Sequence, residues 1–184
     1  PTIVDSAGVV GVASVFPGAP PIAALVGDQQ ASLIGQGCIR PGRAKITFGT
    51  GGMLDVCTDS GQPTEANRNV NGTFPLPVWS IDGEIGWGVE GIMLSAGTNV
   101  EWLRDDMGLI DTAAESHDVA AQCADADGVV YVPALLGLGT PAWDYGARGT
   151  LLGLTRGTER SHVVRAVLEG VAQRGADLVT RTEE

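Results

Sequence analysis

A carboxylate and two side-chain amides follow one another in the stretch VGDQQASLIGQG, directly after the apolar run IAALV. In open α/β sheets, the groups that face ligands collect where strands end. Asp28 at such a position could accept a proton from a substrate hydroxyl, as phosphoryl transfer to an alcohol requires. Gln29 and Gln30 would then form hydrogen bonds with neighbouring hydroxyls. The structural alternative is that Asp28 caps the following helix, with its carboxylate accepting backbone N–H bonds.

A second candidate is the glycine-rich stretch FGTGGM, residues 48–53. Such a turn can direct successive backbone N–H groups outward, and a concavity of N–H groups binds phosphate without Lys or Arg. The hydroxyl of Thr50 adds a further donor. The stretch lacks the Gly-Lys-Ser/Thr ending of a Walker A loop, so a plain tight hairpin turn remains the alternative to phosphate binding.

The histidines and cysteines offer no metal site. His117 and His162 are isolated from one another and from any Cys or acidic cluster. The cysteines, Cys38, Cys57 and Cys123, are odd in number and form no CxxC pair. Neither a disulfide framework nor a zinc site is indicated, and we predict no metal ligands in this chain.

Composition narrows the range of partners. Formal net charge is −11, which opposes the phosphate neutralisation on which nucleic-acid binding rests. No stretch approaches the roughly 18 apolar residues of a membrane helix, and no basic-then-apolar leader pattern is present. We therefore expect a cytoplasmic protein that binds neither nucleic acid nor membrane. The sequence leaves a homo-oligomer open.

Hydrophobic periodicity predicts a mixture of strands and helices, and hence an α/β domain. VVGVASVF and PPIAALV read as buried strands, and QASLIGQG as a short helix. AKITFG with MLDVCT forms one expected hairpin, and WSIDGEIGWGV forms another around the turn dipeptide Asp82-Gly83. The stretch EGIMLSAGTNVEWLRDDMGL should hold a helix that is interrupted or started near Gly97. GVVYVP should be a core strand, and Thr158 should cap a long final helix.

The segments GDQQASLIGQGCIRPGRAKITFGTGG, EGIMLSAGTNVEWLRDDMG and YVPALLGLGTPAWDYGARGTLLGLTRGTERSHVVRAVLEGVA occur in the order found in the FGGY family of carbohydrate kinases. The last contains the family's C-terminal signature, from Gly149 through Gly153 to His162 and Glu169. The chain resembles this family over about Gly27 to Leu178, and most closely the glycerol kinase branch.

This resemblance implies an actin-like, ribonuclease-H-like ATPase domain and ATP-dependent phosphorylation of a polyol or sugar hydroxyl, with glycerol to glycerol 3-phosphate the first expectation. A xylulose-like sugar kinase is the alternative within the family. An actin-like nucleotide switch without kinase activity is the alternative from another class. The implied cofactors are ATP and Mg²⁺, the metal being carried mainly by ATP. The implied site residues are Asp28 as catalytic base and substrate ligand, Gln29 as substrate ligand, and Gly49, Thr50, Gly51 and Gly97 as ATP contacts.

By the same resemblance, residues 1–184 correspond to part of the C-terminal domain of a two-domain kinase. We expect an N-terminal domain and a final C-terminal segment to be absent, the N-terminal domain to be a partner in the complete site, and the isolated chain to be inactive. Two residues depart from the glycerol kinase pattern. Met53 stands where an aromatic residue usually lines the glycerol pocket, and Glu101 stands where a Gln usually lies near the nucleotide.

Overall fold

Strands and helices are intermixed along the chain in the computed structural model, which describes residues 1–59, 61–63 and 67–183. The strands are β1 (Ala7–Val12), β2 (Pro21–Ala24), β3 (Ala44–Phe48), β4 (Gly52–Cys57), β5 (Phe74–Ile81), β6 (Glu84–Met93), β7 (Val130–Val132) and β8 (Thr150–Leu152). The helices are α1 (Asp28–Gly35), α2 (Gly97–Asp105), α3 (Glu115–Ala120) and α4 (Arg160–Glu183).

Four strands form a sheet in the order β3-β4-β6-β5. Both predicted hairpins are confirmed within it: β3 and β4 are joined by residues 49–51, and β5 pairs antiparallel with β6. The turn between β5 and β6 has positive φ at Asp82 (53°) and at Gly83 (79°). Two consecutive left-handed residues are what a type I′ hairpin turn requires, and Asp-Gly tolerates them well.

The first two strands exist where predicted, but their predicted burial is wrong. β1 and β2 pair antiparallel in a separate two-stranded sheet. Val9, Val12 and Phe16 are 70%, 60% and 61% exposed. A two-stranded sheet has no second layer of its own to cover its apolar side chains, so apolar composition alone overestimated burial.

The chain divides into two compact units. The first consists of Pro1–Lys45, Asp55–Asn69 and Phe74–Glu90, and the second of Ile46–Leu54, Val70–Thr73 and Gly91–Glu184. In the first unit, α1 packs on β5 through a small core of Leu33, Cys38 and Val78, with Trp79 against it. This core holds α1 against β5, and the acid and the two amides lie at the N-terminal end of that helix.

The larger core lies in the second unit, where α2, α3 and β7 pack against α4. Leu103, Val164 and Val167 are fully buried there. Trp102 stacks on Tyr131 with ring centroids 6.0 Å apart, and the Tyr131 hydroxyl donates to Asn99 Oδ1 at 2.8 Å. Burial raises the pKa of Tyr131 to about 12, so its hydroxyl keeps its proton and remains a donor. These contacts hold α2 in place. Of the two alternatives for this stretch, the helix starts at Gly97, and Ile92 before it belongs to β6 instead of a helix.

The long final helix is present, but its predicted cap is wrong. α4 begins at Arg160, and the Thr158 hydroxyl instead accepts from the Thr155 N–H at 2.9 Å. His162 Nδ1 accepts the Glu159 N–H at 3.0 Å, so a residue inside the helix satisfies a donor at its start. Among the described residues, no helix combines the length and apolar character needed to cross a bilayer.

Candidate functional site

Asp28 is exposed in the first turn of α1. The N-cap residue is Gly27, with extended backbone (φ −64°, ψ 151°) and no side-chain cap bond, so the interpretation of Asp28 as the N-cap is wrong. Its Oδ1 accepts the Gln29 N–H at 2.9 Å, close to the positive end of the helix dipole. This contact uses Oδ1 and leaves an exposed carboxylate that can meet a substrate.

Gln29 is half-buried and makes a contact that the sequence did not indicate. Its Nε2 donates to Glu90 Oε1 at 2.9 Å, across 61 residues of chain. The Gln30 side chain points in another direction than that of Gln29. A Cβ built on Gly27 would lie 2.7 Å from Gln30 Oε1, so the Gln30 side chain folds back over the loop before the helix. Of the two amides, Gln29 is the one anchored by another element of the first unit.

Glu90 lies among buried charges on neighbouring strands. Lys45 Nζ on β3 is 3.4 Å from Asp55 Oδ2 on β4, and both side chains are 2% exposed. Apart from this ion pair, neither carboxylate oxygen of Asp55 has a hydrogen-bond partner among the described residues. Burial raises the pKa of Asp55 despite the attraction of Lys45. Burial also raises the pKa of Glu90, and Asp55 adds to that rise while Gln29 and Lys45 oppose it.

The glycine-rich turn lies in the second unit and is held by backbone contacts. The Gly49 N–H donates to Gly51 O at 2.9 Å, so this group is used within the turn. Gly49 O accepts the Gly97 N–H at 2.7 Å. Thr50 O accepts from the Ala96 N–H at 2.9 Å. The turn is therefore bonded directly to the start of α2, which brings together all four residues expected to contact ATP.

Two of these glycines are required by close backbone approach. A Cβ on Gly97 would lie 2.6 Å from Gly49 O, and a Cβ on Gly51 would lie 2.8 Å from Met93 O. The Thr50 side chain, by contrast, is exposed. The hairpin interpretation and the ligand interpretation are thus compatible, since the glycines permit the packing while the exposed hydroxyl remains available.

The two departures from the glycerol kinase pattern both fall in the second unit. Met53 is half-buried on β4, next to the turn, and Glu101 is exposed on α2. Asp28 and Gln29, in contrast, belong to the first unit. Among the residues that the structure describes, no three His, Cys, Asp or Glu side chains cluster closely enough to hold a metal ion.

Comparison with known proteins adds independent information. Residues 44–184 match the C-terminal domain of the FGGY family of carbohydrate kinases. A glycerol kinase of Aromatoleum aromaticum is 46% identical over 181 residues, which cover 97% of this chain and 36% of that protein. Another, from Alkalilimnicola ehrlichii, is 44% identical over 185 residues, covering 100% of this chain and 37% of that protein.

Solved structures agree with the sequence matches. The Plasmodium falciparum glycerol kinase with ADP superposes with a TM-score of 0.82 at 32% identity, covering 99% of this chain and 37% of that one. A xylulose kinase of Rhodospirillum rubrum gives a TM-score of 0.74 at 26% identity, covering 98% and 36%.

These matches define an α/β domain of the actin-like, ribonuclease-H-like class, as the family resemblance implied. Within that class, the chain belongs to the FGGY family of carbohydrate kinases. It spans 36% to 37% of the length of the two glycerol kinases compared above.

Proposed function

We propose that the full-length protein transfers the γ-phosphoryl group of ATP to a hydroxyl of a polyol, glycerol first. The observation that carries this proposal is the adjacent pair of an exposed carboxylate, Asp28, and an anchored amide, Gln29, at the start of one helix. Phosphoryl transfer to an alcohol needs a proton acceptor and a group that orients the alcohol. The identity of 46% to a glycerol kinase supports glycerol as the acceptor.

In the proposed reaction, Asp28 accepts the proton of the attacking hydroxyl. The hydroxyl oxygen forms a bond to the γ-phosphorus while the bond from that phosphorus to the bridging oxygen of ADP breaks. Gln29 holds a neighbouring hydroxyl, which fixes the acceptor in line for attack. The products are the phosphate ester and ADP, and the proton stays on Asp28 until solvent removes it.

We assign the phosphate end of ATP to the glycine-rich turn, with Gly49, Thr50, Gly51 and Gly97 as its contacts. The fit is supported by the exposed Thr50 side chain and by glycines that keep the turn flush against α2. Glutamate at 101, exposed on the same helix, alters the contact that an amide would make near the nucleotide. Magnesium would arrive with ATP and neutralise its phosphates, and no residue of this chain is assigned to it.

We propose that an N-terminal domain and a final C-terminal segment, outside residues 1–184, complete this site. The relatives are nearly three times as long as the matched region, which supports the proposal. The exposed apolar residues of β1 and β2, including Val9 and Val12, supply a surface for the N-terminal domain to cover. Closure between domains would exclude water and prevent ATP hydrolysis. Residues 1–184 alone should therefore be inactive. We also propose that the complete enzyme is cytoplasmic, and a homo-oligomer is compatible with this proposal.

Two other functions of the full-length protein are tested against the glycerol proposal. A xylulose-like sugar kinase is supported more weakly, by the superposition on the R. rubrum enzyme at 26% identity. A nucleotide switch without kinase activity is disfavoured by Gln29, since a switch needs no hydroxyl-binding amide beside its acid. ADP release by the full-length protein is measured with a polyol and with a ketose. Release that depends on the polyol supports the glycerol proposal, and release that depends on the ketose supports the sugar kinase. Release that depends on neither acceptor supports the nucleotide switch.

The decisive variant is Asp28→Asn in the full-length protein. Loss of a general base lowers kcat by about 10²- to 10⁴-fold, and we expect that loss with little change in the KM for ATP. Asp118→Asn, an exposed acid on α3, is the matched control and should retain full activity. Normal polyol-dependent ADP release by Asp28→Asn would show that the base assignment is wrong.

A further inference from the structure

Glu90 has no assigned role in the reaction, yet it makes the hydrogen bond that anchors Gln29. Gln29 Nε2 donates to Glu90 Oε1 at 2.9 Å, and both side chains are half-buried. An ionised carboxylate can only accept hydrogen bonds, whereas an amide has a donor end and an acceptor end. Glu90 therefore selects the orientation in which the NH₂ group of Gln29 faces β6.

We propose that Glu90 is a positioning residue for the polyol site: by binding the NH₂ group of Gln29, it leaves Gln29 Oε1 as the acceptor for a substrate hydroxyl. This inference rests on the proposed function, because it assigns Gln29 to the acceptor alcohol. A hydroxyl that donates to Gln29 Oε1 and a neighbouring hydroxyl that donates to Asp28 would be held by two adjacent residues of one helix turn.

The charges around Glu90 support a fixed orientation. The titratable groups that face it are Lys45 on β3 and Asp55 on β4, and these two are themselves paired at 3.4 Å. Lys45 therefore attracts both acids, from a buried position beside the half-buried Glu90. Hydrogen bonds to charged partners are stronger than neutral ones, so Glu90 in its ionised form holds the amide more firmly than a neutral side chain would.

The kinetic test uses the full-length protein with Glu90→Ala and Glu90→Gln. Loss of a charge-assisted positioning bond should raise the KM for the polyol by about tenfold in Glu90→Ala, with kcat and the KM for ATP changed by less. Glu90→Gln retains an acceptor and should recover part of this loss. Glu84→Ala, an exposed acid on the same strand, is the matched control and should leave all constants unchanged.

A double-mutant cycle separates positioning from a general structural effect. If Glu90 acts through Gln29, then Glu90→Ala in a Gln29→Ala background should cause no further rise in the KM for the polyol. A tenfold rise that persists without Gln29 would overturn the proposal. So would a Glu90→Ala variant whose KM for the polyol equals that of the wild type.

A spectroscopic arm does not depend on activity. In full-length protein labelled with ¹⁵N at glutamine side chains, the Gln29 signal is identified by its loss in Gln29→Ala. That signal should shift as the pH rises from about 4.5 through the raised pKa of Glu90, and Glu90→Gln should abolish the shift. A signal that ignores both pH and Glu90→Gln contradicts the positioning role. A wild type without polyol-dependent ADP release would instead contradict the proposed function, while this arm still decides the role of Glu90.

Discussion

The acid-amide pair of the first unit and the glycine-rich turn of the second are held in place by different physical means. Gln29 is fixed by a side-chain hydrogen bond to Glu90, beside the buried pair of Lys45 and Asp55. The turn at Thr50 is fixed by backbone bonds to α2 and by glycines that allow close approach. The first arrangement depends on charged side chains, and the second depends on glycines that let the backbone pack closely. A substitution that changes charge should therefore affect the first region more, and a substitution that adds side-chain atoms should affect the second region more.

The largest expected effect comes from removing the cation of the first region. In Lys45→Met, Asp55 is left as an unpaired buried charge, and breaking a buried pair in this way costs about 3–5 kcal/mol. Both side chains are 2% exposed, so solvent offers little screening. Urea unfolding of the full-length protein measures the loss.

Lys45→Met combined with Asp55→Asn is the matched control for that experiment. Removing the second charge should recover more than half of the lost free energy of unfolding, because the unpaired carboxylate is then gone. A single Lys45→Met variant as stable as the wild type would show that charge pairing does not hold the first region together.

The second region should respond to added volume instead. In Gly97→Ala, the new Cβ would lie 2.6 Å from Gly49 O, a backbone atom that cannot move without distorting the turn. Overpacking of this kind costs about 1–3 kcal/mol, and Ala gains roughly 1 kcal/mol over Gly in a helix, so the net loss is up to about 2 kcal/mol. We expect lower stability in urea unfolding and a higher KM for ATP.

Gly35→Ala, at the end of α1, is the steric control because nothing lies within 4 Å of the added Cβ. It should change stability by less than about 1 kcal/mol, in the favourable direction. If Gly97→Ala behaves like Gly35→Ala, the close approach between α2 and the turn is not a constraint on the second region.

Local rules predicted the elements that carry these two regions. β-rich runs around a glycine-rich turn and the Asp82-Gly83 dipeptide identified the hairpins, and a helix interrupted or started near Gly97 was expected where α2 begins. The role of Glu90 could not be predicted in this way, since its partner Gln29 is 61 residues distant and no local pattern links them. Contacts between distant strands depend on register, which the sequence of one strand does not reveal.

Burial and capping were the other points where local patterns failed. The apolar residues of β1, such as Val9, predicted a core strand, but burial depends on what packs against a strand. Thr158 has the side chain of a helix cap, but its hydroxyl bonds to Thr155, and the helix begins at Arg160. Several residues near a helix start can compete as caps, and tertiary packing chooses among them.

A smaller effect should appear in the pH dependence of the first region. The pKa of Glu90 is raised above its ordinary value of 4.5, so the folded protein holds this proton over a pH range where the unfolded chain has lost it. Stability from this group therefore falls as pH rises from about 4.5 through the raised pKa. Wild type should lose stability relative to Glu90→Gln across that range in urea unfolding at stepped pH. A difference that stays constant, or that grows in favour of the wild type, would contradict the buried-charge description.

The smallest expected effect tests the one exposed side chain of the second region's turn. Thr50→Val keeps the shape of the side chain but removes its hydroxyl, and the backbone bonds of Thr50 O to α2 do not involve that group. Stability should thus stay within about 0.5 kcal/mol of the wild type. The KM for ATP should rise by about two- to tenfold, as loss of one neutral hydrogen bond predicts. Thr50→Ser retains the hydroxyl and should bind ATP like the wild type. If the valine and serine variants have the same KM for ATP, the turn acts through its backbone alone. The first region would then act through side chains and the second entirely through its backbone.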